Sequence, residues 1–156
     1  MIQIVAYESS HQNGIDEMMN GIALEFEEQI IPKTTSKTPI VPDKYWVALS
    51  NGEVVGTVGI IVVEKGFGIL KKMMVKKEFR GKEFGISKLL LETVFDWCKE
   101  HRIPKLYLGT MIQFKAAQSF YGKNGFIQIA ENELPPNFLI NPLDKVFFVQ
   151  ELNIKY

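Results

Sequence analysis

The chain has 156 residues, of which 46% are hydrophobic and 12% aromatic, so it is long and apolar enough to form one compact domain with its own core. Eighteen basic and eighteen acidic residues give a formal net charge of zero, which excludes a general electrostatic attraction to nucleic acid or to an anionic membrane. We therefore expect a single domain over residues 1–156 with neither of those partners, and any anion site must be local.

The sequence also bears on the cellular location of the protein and on whether it binds a metal. Cys98 is the single cysteine, so no internal disulfide can form, and residues 1–5 lack the basic and apolar regions of a secretory signal. The longest apolar runs, such as 58–63, are too short to cross a bilayer as a helix. His11 and His101 are isolated, so we expect no metal site. These features together predict a cytoplasmic protein.

In chain order, residues 2–7 predict a short strand. Residues 14–31 predict one or two helices, because apolar side chains recur there at helical spacing. The segment 32–39 is polar and bracketed by prolines, which is typical of a surface loop. Such a loop is either a plain connector, which we slightly favour, or a segment that faces the substrate.

A hairpin and a further turn follow. An Asn-Gly pair at 51–52 tolerates the positive φ angles of a tight type I′ turn, so residues 45–49 and 54–63 are predicted to be paired strands. A second turn at 65–66 leads into a strand over residues 68–75. These segments predict three successive antiparallel strands.

Helices and strands alternate in the second half of the chain. Apolar side chains recur at helical spacing over 86–97, and Pro104 stops that unit before a strand over 105–110. A shorter helix over 115–123 is followed by an Asn-Gly pair at 124–125, the residue types best able to adopt a left-handed helix C-cap.

Two last strands, over residues 126–130 and 146–152, complete the predicted sheet. The expected fold is α/β of the α+β type. Its central sheet is mixed and mainly antiparallel, with about six to seven strands flanked by about four helices.

Residues 79–87 form a glycine-bearing loop that opens a predicted helix. The first turn of a helix presents unpaired backbone N–H groups and the positive end of its dipole, so this loop is suited to hold phosphate. Taken alone, Gly81 and Gly85 would more often be turn and helix-packing glycines. Their place upstream of the segment 116–126 favours phosphate binding.

A thioester such as acetyl-CoA needs four features from a protein: a cradle for the pyrophosphate, a strand edge for the pantetheine amides, a donor for the oxyanion and an acid for the departing thiolate. The loop can supply the first. The strand end at Met73, Met74 and Val75 can supply the second and third, if its edge is left open. Tyr121 is a candidate acid, since a phenol can protonate sulfur without being ionised itself. Its alternative role is that of a core residue with its hydroxyl at the surface.

The element order from residue 45 onwards and three segments resemble the GNAT superfamily of N-acetyltransferases. Residues 75–82, VKKEFRGK, resemble the family's strand exit and "yRGkG" approach, and residues 85–91, GISKLLL, resemble its "GiGxxLL" helix entry. Residues 120–126, FYGKNGF, resemble its "lYxxxGF" pattern. The resemblance implies transfer of an acetyl group from acetyl-CoA to a primary amine by direct attack, without a covalent enzyme intermediate.

The resemblance also implies the roles of individual residues. Tyr121 is the implied acid. The implied acetyl-CoA-binding residues are Met73, Met74, Val75, Arg80, Gly81, Lys82, Glu83, Phe84, Gly85, Ile86, Ser87, Lys115, Ala117, Phe120 and Lys123.

Several of these positions depart from the usual pattern of the family. Glu83 and Phe84 form a two-residue insertion, or else Lys82 replaces the usual glutamine or arginine of the motif. In the second alignment Ser87 also replaces the usual glycine or alanine, and in both the loop is altered. Lys115 stands where many members carry an asparagine that contacts the pantetheine arm.

The acceptor side carries fewer signals. The attacking amine must be uncharged, so a general base or a water path to one is needed, and residues 69–75 contain no carboxylate. Glu25, Glu27 and Glu28 either line an acceptor pocket or form a solvated helix face. The predicted acceptor is a small-molecule or peptide amine, and the protein is expected to be a monomer or a homodimer.

Four lysines near the phosphate loop form either a basic patch or, more typically, the solvated face of a strand. They are Lys71, Lys72, Lys76 and Lys77. Two other functions stay open. The first is a non-catalytic acyl-CoA sensor of the same fold. The second, a nucleotide-phosphate binder of another family, is weaker because neither common glycine-rich nucleotide motif is present.

Overall fold

The computed structural model describes residues 2–25, 42–63, 66–81 and 85–152. The strands are β1 Ile2–Ala6, β2 Lys44–Ser50, β3 Glu53–Val63, β4 Phe67–Val75, β5 Lys105–Thr110, β6 Ile127–Ile129 and β7 Val146–Glu151. The α-helices are α1 Gln12–Ala23, α2 Ile86–Glu100 and α3 Lys115–Lys123. Single 3-10 turns cover Ser9–His11, Lys77–Phe79 and Glu131–Glu133.

All seven strands belong to one sheet, in the order β1-β2-β3-β4-β5-β7-β6. β4 and β5 are parallel, whereas the other neighbouring strands are antiparallel. This confirms the predicted mixed, mainly antiparallel sheet and its number of strands. The predicted succession of three antiparallel strands corresponds to β2, β3 and β4.

The N-terminal helix differs from its predicted bounds. α1 begins at Gln12, because the 3-10 turn at Ser9–His11 leads directly into it. α1 ends at Ala23, and residues 24–25 form a turn, so the predicted helical stretch breaks there. Residues 26–31 and the loop 32–39 lie outside the described residues. Among the helices that the structure describes, none is long and apolar enough to cross a membrane.

Two turns that depend on positive φ angles form as predicted. Asn51 and Gly52 have φ angles of 50° and 85° between β2 and β3, as the tight hairpin requires. Gly125 follows α3 with a φ angle of 96°. A Cβ atom at Gly125 would lie 2.8 Å from Nε2 of Gln150, the movable end of a side chain, so the positive φ angle is what favours glycine there.

β4 and β5 separate after a short stretch of pairing. Their parallel register starts at Phe67 and ends where Ile69 faces Tyr107. Beyond that point residues 70–75 of β4 pair with β3, and residues 108–110 of β5 pair with β7. We call the gap between residues 70–75 and 108–110 the β4/β5 opening. It supplies the open strand edge that the predicted function needs.

A β-bulge interrupts β4 beside this opening. Thr57 faces Met74 while Gly59 faces Lys71, so β4 carries one more residue than β3 between these pairs. Lys72 has a φ angle of 54°, and its carbonyl accepts a hydrogen bond of 2.7 Å from the buried Thr57 hydroxyl. The Thr57 hydroxyl thus gives the Lys72 carbonyl a hydrogen-bond donor at the bulge, where Lys72 has a left-handed backbone conformation.

The two faces of the sheet are buried under different elements. α2 and α3 cover one face through an apolar cluster that includes Leu90 and Phe148. On the other face α1 contributes Ile15, and the segment between β6 and β7 contributes Phe138. We call these the α2/α3 face and the α1 face. Alternation along β4 places Ile69 on the α1 face.

Candidate active site

A cavity of about 380 Å³ lies at the β4/β5 opening. Its walls come from the end of β4, the loop before α2, the first turn of α2 and the segment that leads into α3. The lining residues are Ile22, Met73, Met74, Val75, Arg80, Gly81, Ser87, Gln113, Phe114, Lys115, Ala116, Ala117, Phe120 and Tyr121. The predicted phosphate loop and the predicted acid therefore meet at one cavity.

The structure distributes the predicted site residues unevenly around this cavity. On its wall lie Met73, Met74, Val75, Arg80, Gly81, Ser87, Lys115, Ala117, Phe120 and Tyr121. Gly85, Ile86 and Lys123 are off the wall. The side chain of Ile86 packs in the core at 1% exposure, and Lys123 is the last residue of α3. Lys82, Glu83 and Phe84 lie outside the described residues.

Four lining residues were not predicted: Ile22, Gln113, Phe114 and Ala116. The segment before α3 is held by the side-chain amide of Gln118, which donates to the carbonyls of Met111 at 2.9 Å and Ile112 at 3.0 Å. A glutamine in the first turns of a helix, with a short loop before it, was the signal for this arrangement.

Val75 ends β4 with both of its backbone polar groups directed away from β3. The Lys76 N–H donates to the Val55 carbonyl at 2.8 Å, which makes Val75 and Gly56 a non-hydrogen-bonded pair of the ladder. The Val75 carbonyl accepts a hydrogen bond of 2.8 Å from Nε of Arg80. The Val75 N–H has no partner in the described part of the chain, so it is available to a ligand.

Arg80 links the cofactor side of the cavity to the end of α1. Its Nη1 and Nη2 donate to the two carboxylate oxygens of Glu25, at 2.6 and 2.9 Å. Glu25 is predicted either to line an acceptor pocket or to lie on a solvated helix face, and in the structure it pairs with Arg80. Glu27 and Glu28 lie outside the described residues.

The start of α2 offers unpaired backbone donors to the cavity. Gly85 is the N-cap with a φ angle of 61°, and no side chain caps this helix end. Ser87, in the first turn, reaches the cavity wall. Unpaired N–H groups and the helix dipole together favour an anion here.

Tyr121 reaches the cavity from α3 and is 5% exposed. Its ring packs against those of Phe126 and Phe148, with centroids 5.5 and 5.9 Å away. Among the described residues its hydroxyl has no hydrogen-bond partner. Burial raises the pKa of this phenol, and the nearby Asp144 raises it further. Tyr121 therefore keeps its proton and can donate it.

Asp144, in the segment before β7, is a buried carboxylate that the sequence did not point to. It is 8% exposed, and its Oδ2 lies 2.8 Å from where a Cβ atom would be at Gly109. Burial raises the pKa of Asp144, while the charge of Lys71 lowers it. Burial lowers the pKa of Lys71, and Asp144 raises it. The sequence feature that could have indicated Asp144 is its place as a single carboxylate two residues before β7.

The lysines predicted to form either a basic patch or, more typically, a solvated strand face have different surroundings. Lys71 faces Asp144 and is partly buried, so it is not part of a solvated strand face. The Nζ atom of Lys72 lies 5.5 Å from the ring centroid of Tyr45. Lys76 pairs with Glu53 at 3.0 Å. The position of Lys71 in the opening, rather than a general basic surface, distinguishes it from the others.

Comparison with known proteins places the chain among acetyltransferases. Residues 15–126 match the acetyltransferase (GNAT) family. The chain is 34% identical over 107 residues to the N-acetylaspartate synthetase of Danio rerio, a match that covers 67% of this chain and 37% of that protein. It is 31% identical over 91 residues to an uncharacterized N-acetyltransferase of Bacillus subtilis (strain 168), covering 58% and 36%. The matches thus span little more than a third of these relatives.

Solved structures agree with this placement. An acetyltransferase of the GNAT family from Staphylococcus aureus Mu50 superposes with a TM-score of 0.85 at 30% identity, covering 98% of this chain and 100% of that one. The N-acetylglutamate synthase of Neisseria gonorrhoeae, solved with coenzyme A and N-acetylglutamate, has a TM-score of 0.75 at 15% identity and covers 98% and 35%. The second likeness concerns the fold alone. The chain belongs to the GNAT family of acetyltransferases.

Proposed function

We propose that the protein is an N-acetyltransferase that moves an acetyl group from acetyl-CoA to a primary amine within a ternary complex. The observation that carries the proposal is that Val75 and Tyr121 line the same cavity, and that the N–H of Val75 and the hydroxyl of Tyr121 have no partner among the described residues. One is a donor for a carbonyl that gains negative charge, and the other is an acid for a leaving group.

The donors around the cavity fit the proposed cosubstrate. The first turn of α2, with Ser87, would hold the pyrophosphate through its unpaired N–H groups. The free edge of β4 at Met73 and Val75 would pair with the amides of the pantetheine arm. Lys115 and Phe120 form the opposite wall. Contacts from Lys82, Glu83, Phe84, Gly85, Ile86 and Lys123 stay predictions from the family pattern.

The proposed reaction is a direct displacement at the acetyl carbonyl. The amine nitrogen forms a C–N bond, and the C–S bond breaks with its electron pair leaving on sulfur. Val75 donates its N–H to the carbonyl oxygen, and Tyr121 gives its proton to the departing thiolate. The attacking amine releases one proton, which requires a base.

The names of the relatives suggest an acceptor class. Several of the curated relatives are N-acetylaspartate synthetases, so the amine of a small amino acid is the first acceptor to test. A peptide amine is the second. We also propose that residues 1–156 act as one catalytic unit, as a monomer or homodimer.

An amine-panel assay that reads the release of coenzyme A thiol tests the proposed function. Tyr121→Phe should lower kcat by about 10²-fold, because it removes one general acid, while calorimetry shows unchanged binding of coenzyme A. Tyr107→Phe is the matched control, since Tyr107 packs edge-on against Phe67 away from the cavity. Unchanged turnover in Tyr121→Phe would remove the proposed acid. Binding of coenzyme A without thiol release for any amine would favour a non-catalytic sensor.

A further inference from the structure

Lys71 and Gly109 occupy equivalent positions on the two sides of the β4/β5 opening. Each lies two residues beyond the last paired position, where Ile69 faces Tyr107. The alternation of side chains therefore assigns Lys71 and the missing side chain of Gly109 to the α1 face. Asp144 fills the space at Gly109, with its Oδ2 only 2.8 Å from the ideal Cβ position. A cation from β4 and an anion from the segment before β7 thus approach the opening from its two sides.

These two charges are close enough to interact without closing on each other. Each affects the titration of the other, yet no ion pair within 4.0 Å joins them. Within the described ranges, the polar contact of Lys71 Nζ is the Leu139 carbonyl at 3.5 Å. The Asp144 carboxylate accepts no hydrogen bond anywhere in the described ranges, although the residue is 8% exposed. Gln150 Oε1, and neither oxygen of Asp144, is the fully buried side-chain polar atom without a partner in the described ranges, so the Asp144 carboxylate keeps access to solvent and to a ligand.

Asp144 also acts across the sheet on the proposed catalytic acid. Tyr121 belongs to the α2/α3 face, and the charge of Asp144 nevertheless raises its pKa. The opening therefore brings the carboxylate within electrostatic reach of the phenol. Lys71 and Asp144 are not on the wall of the cavity, so a group held by Asp144 on the α1 face would reach the thioester proposed for that cavity through the β4/β5 opening.

We propose that Lys71 and Asp144 form the acceptor site, and that the acceptor is a small amino acid whose ammonium binds Asp144 and whose carboxylate binds Lys71. The inference rests on the proposed function and adds to it the class of acceptor and a base. Asp144 takes the first proton from the ammonium, and the freed nitrogen forms the C–N bond while the C–S bond breaks with its electron pair on sulfur. Tyr121 protonates the sulfur, and the second proton that the nitrogen loses restores the Tyr121 hydroxyl. An amine that lacks a carboxylate leaves Lys71 unpaired and places two cations in one buried gap.

Matched pairs of acceptors test the charge pattern directly. Each L-amino acid is compared with the amine that lacks its α-carboxylate, in the same thiol-release assay. The wild type should prefer the amino acid by at least about tenfold in kcat/KM, as expected for a charge-assisted contact. Lys71→Gln should bring this ratio close to one, and Lys71→Arg should keep it above one. Lys105→Gln is the control, since Lys105 pairs with Glu151 at 3.7 Å outside the opening.

The proposed role of Asp144 as the base is tested by its effect on kcat, and not by the preference for an amino acid over the matching amine. Asp144→Asn should lower kcat by about 10²-fold, because it removes a general base, while coenzyme A binding and the melting temperature confirm a folded protein. Asp144→Glu keeps a carboxylate and should recover part of the rate. Equal use of both members of each acceptor pair by the wild type, or an unchanged ratio in Lys71→Gln, would overturn the inference. Thiol release with amines would leave the proposed function standing in that case, whereas its complete absence would remove the function itself.

Discussion

The guanidinium of Arg80 and the carboxylate of Glu25 form a bidentate ion pair. Nη1 and Nη2 of Arg80 lie 2.6 and 2.9 Å from the two carboxylate oxygens. Arg80 lies on the cavity wall after β4, and Glu25 follows α1, so the pair connects two elements that border the same cavity. Glu25 thereby neutralises a cation at the edge of the proposed site for an anionic cosubstrate.

Glu25→Gln should tighten the binding of coenzyme A. The change frees the Arg80 charge for the phosphates, and partly exposed charge pairs of this kind contribute about 0.2–1 kcal/mol, which corresponds to a change of up to about fivefold in Kd. Calorimetry at low and high salt should show a larger gain at low salt, because the effect is electrostatic.

Glu53→Gln is the matched control for this change. Glu53 also pairs with a cation, Lys76 at 3.0 Å, but both side chains are exposed and neither lines the cavity. The control should leave the Kd for coenzyme A unchanged. A higher Kd for coenzyme A in Glu25→Gln would instead mean that the ion pair mainly holds the loop before α2 in place. Its neutralisation of the Arg80 charge would then be the smaller effect.

The activity with amino acids should fall at both ends of the pH range. Burial raises the pKa of Asp144, so the proposed base becomes protonated and activity is lost as pH falls through a value above its ordinary one. Burial lowers the pKa of Lys71, so recognition of the carboxylate is lost as pH rises, before an ordinary lysine would titrate. The pKa of Tyr121 is raised, so this phenol does not produce the alkaline loss.

Profiles of kcat/KM between about pH 4 and 10 check these assignments. The acid limb should disappear in Asp144→Asn, and the alkaline limb should disappear in Lys71→Arg, since arginine stays charged over this range. An acid limb that persists in Asp144→Asn would assign the base to another group.

Gly109→Ala should lower activity although it replaces no charged residue. Its Cβ atom would lie 2.8 Å from Oδ2 of Asp144 and 3.0 Å from Cε1 of Phe147, so the carboxylate must move. We expect a loss in kcat of about tenfold, smaller than that of Asp144→Asn, with coenzyme A binding preserved. Gly21→Ala is the control, because nothing lies within 4 Å of its Cβ position and alanine favours the helix. Full activity in Gly109→Ala would show that the carboxylate position is not critical.

Thr57→Val should destabilise the fold by about 1–3 kcal/mol in urea unfolding. It removes the buried hydroxyl that donates to the Lys72 carbonyl at 2.7 Å and leaves that carbonyl at the bulge without its partner. Thr57→Ser keeps the hydroxyl and should cost less than the valine. Equal losses in the two variants would assign the effect to packing rather than to the hydrogen bond.

Cys98 should not react with Ellman's reagent in the native protein at pH 8. The residue is fully buried at 0% exposure, and burial raises the pKa of its thiol from 9.0 to about 12. Unfolding in denaturant should release one reactive thiol. Because the folded pKa is the higher one, its contribution to stability is intact below pH 9 and is lost as pH rises towards 12. Rapid labelling of the native protein would contradict this.

The sequence was most informative where a local rule decides the structure. The Asn51-Gly52 turn and the Gly125 helix end follow from the φ angles that these residues tolerate. The role of Asp144 does not follow from any local rule, because it depends on how far two parallel strands pair before they separate. Residues that are remote in sequence, Lys71 and Asp144, become neighbours only after that separation. Tyr121 could be chosen as the acid from its motif, whereas its lack of a partner required the fold.

The short pairing of β4 with β5 also has a mechanical consequence. The ladder between the β1 to β4 half and the β5 to β7 half of the sheet has only three rungs in the described strands. The edge ladder between β6 and β7 is equally short, so β4/β5 is the shortest ladder within the interior of the sheet, and amide protons beside it should exchange with solvent early. A bound cosubstrate whose amides form hydrogen bonds with β4 would bridge the gap between β4 and β5. Its binding should therefore slow the exchange of these amide protons and stabilise the contact between the two halves of the sheet.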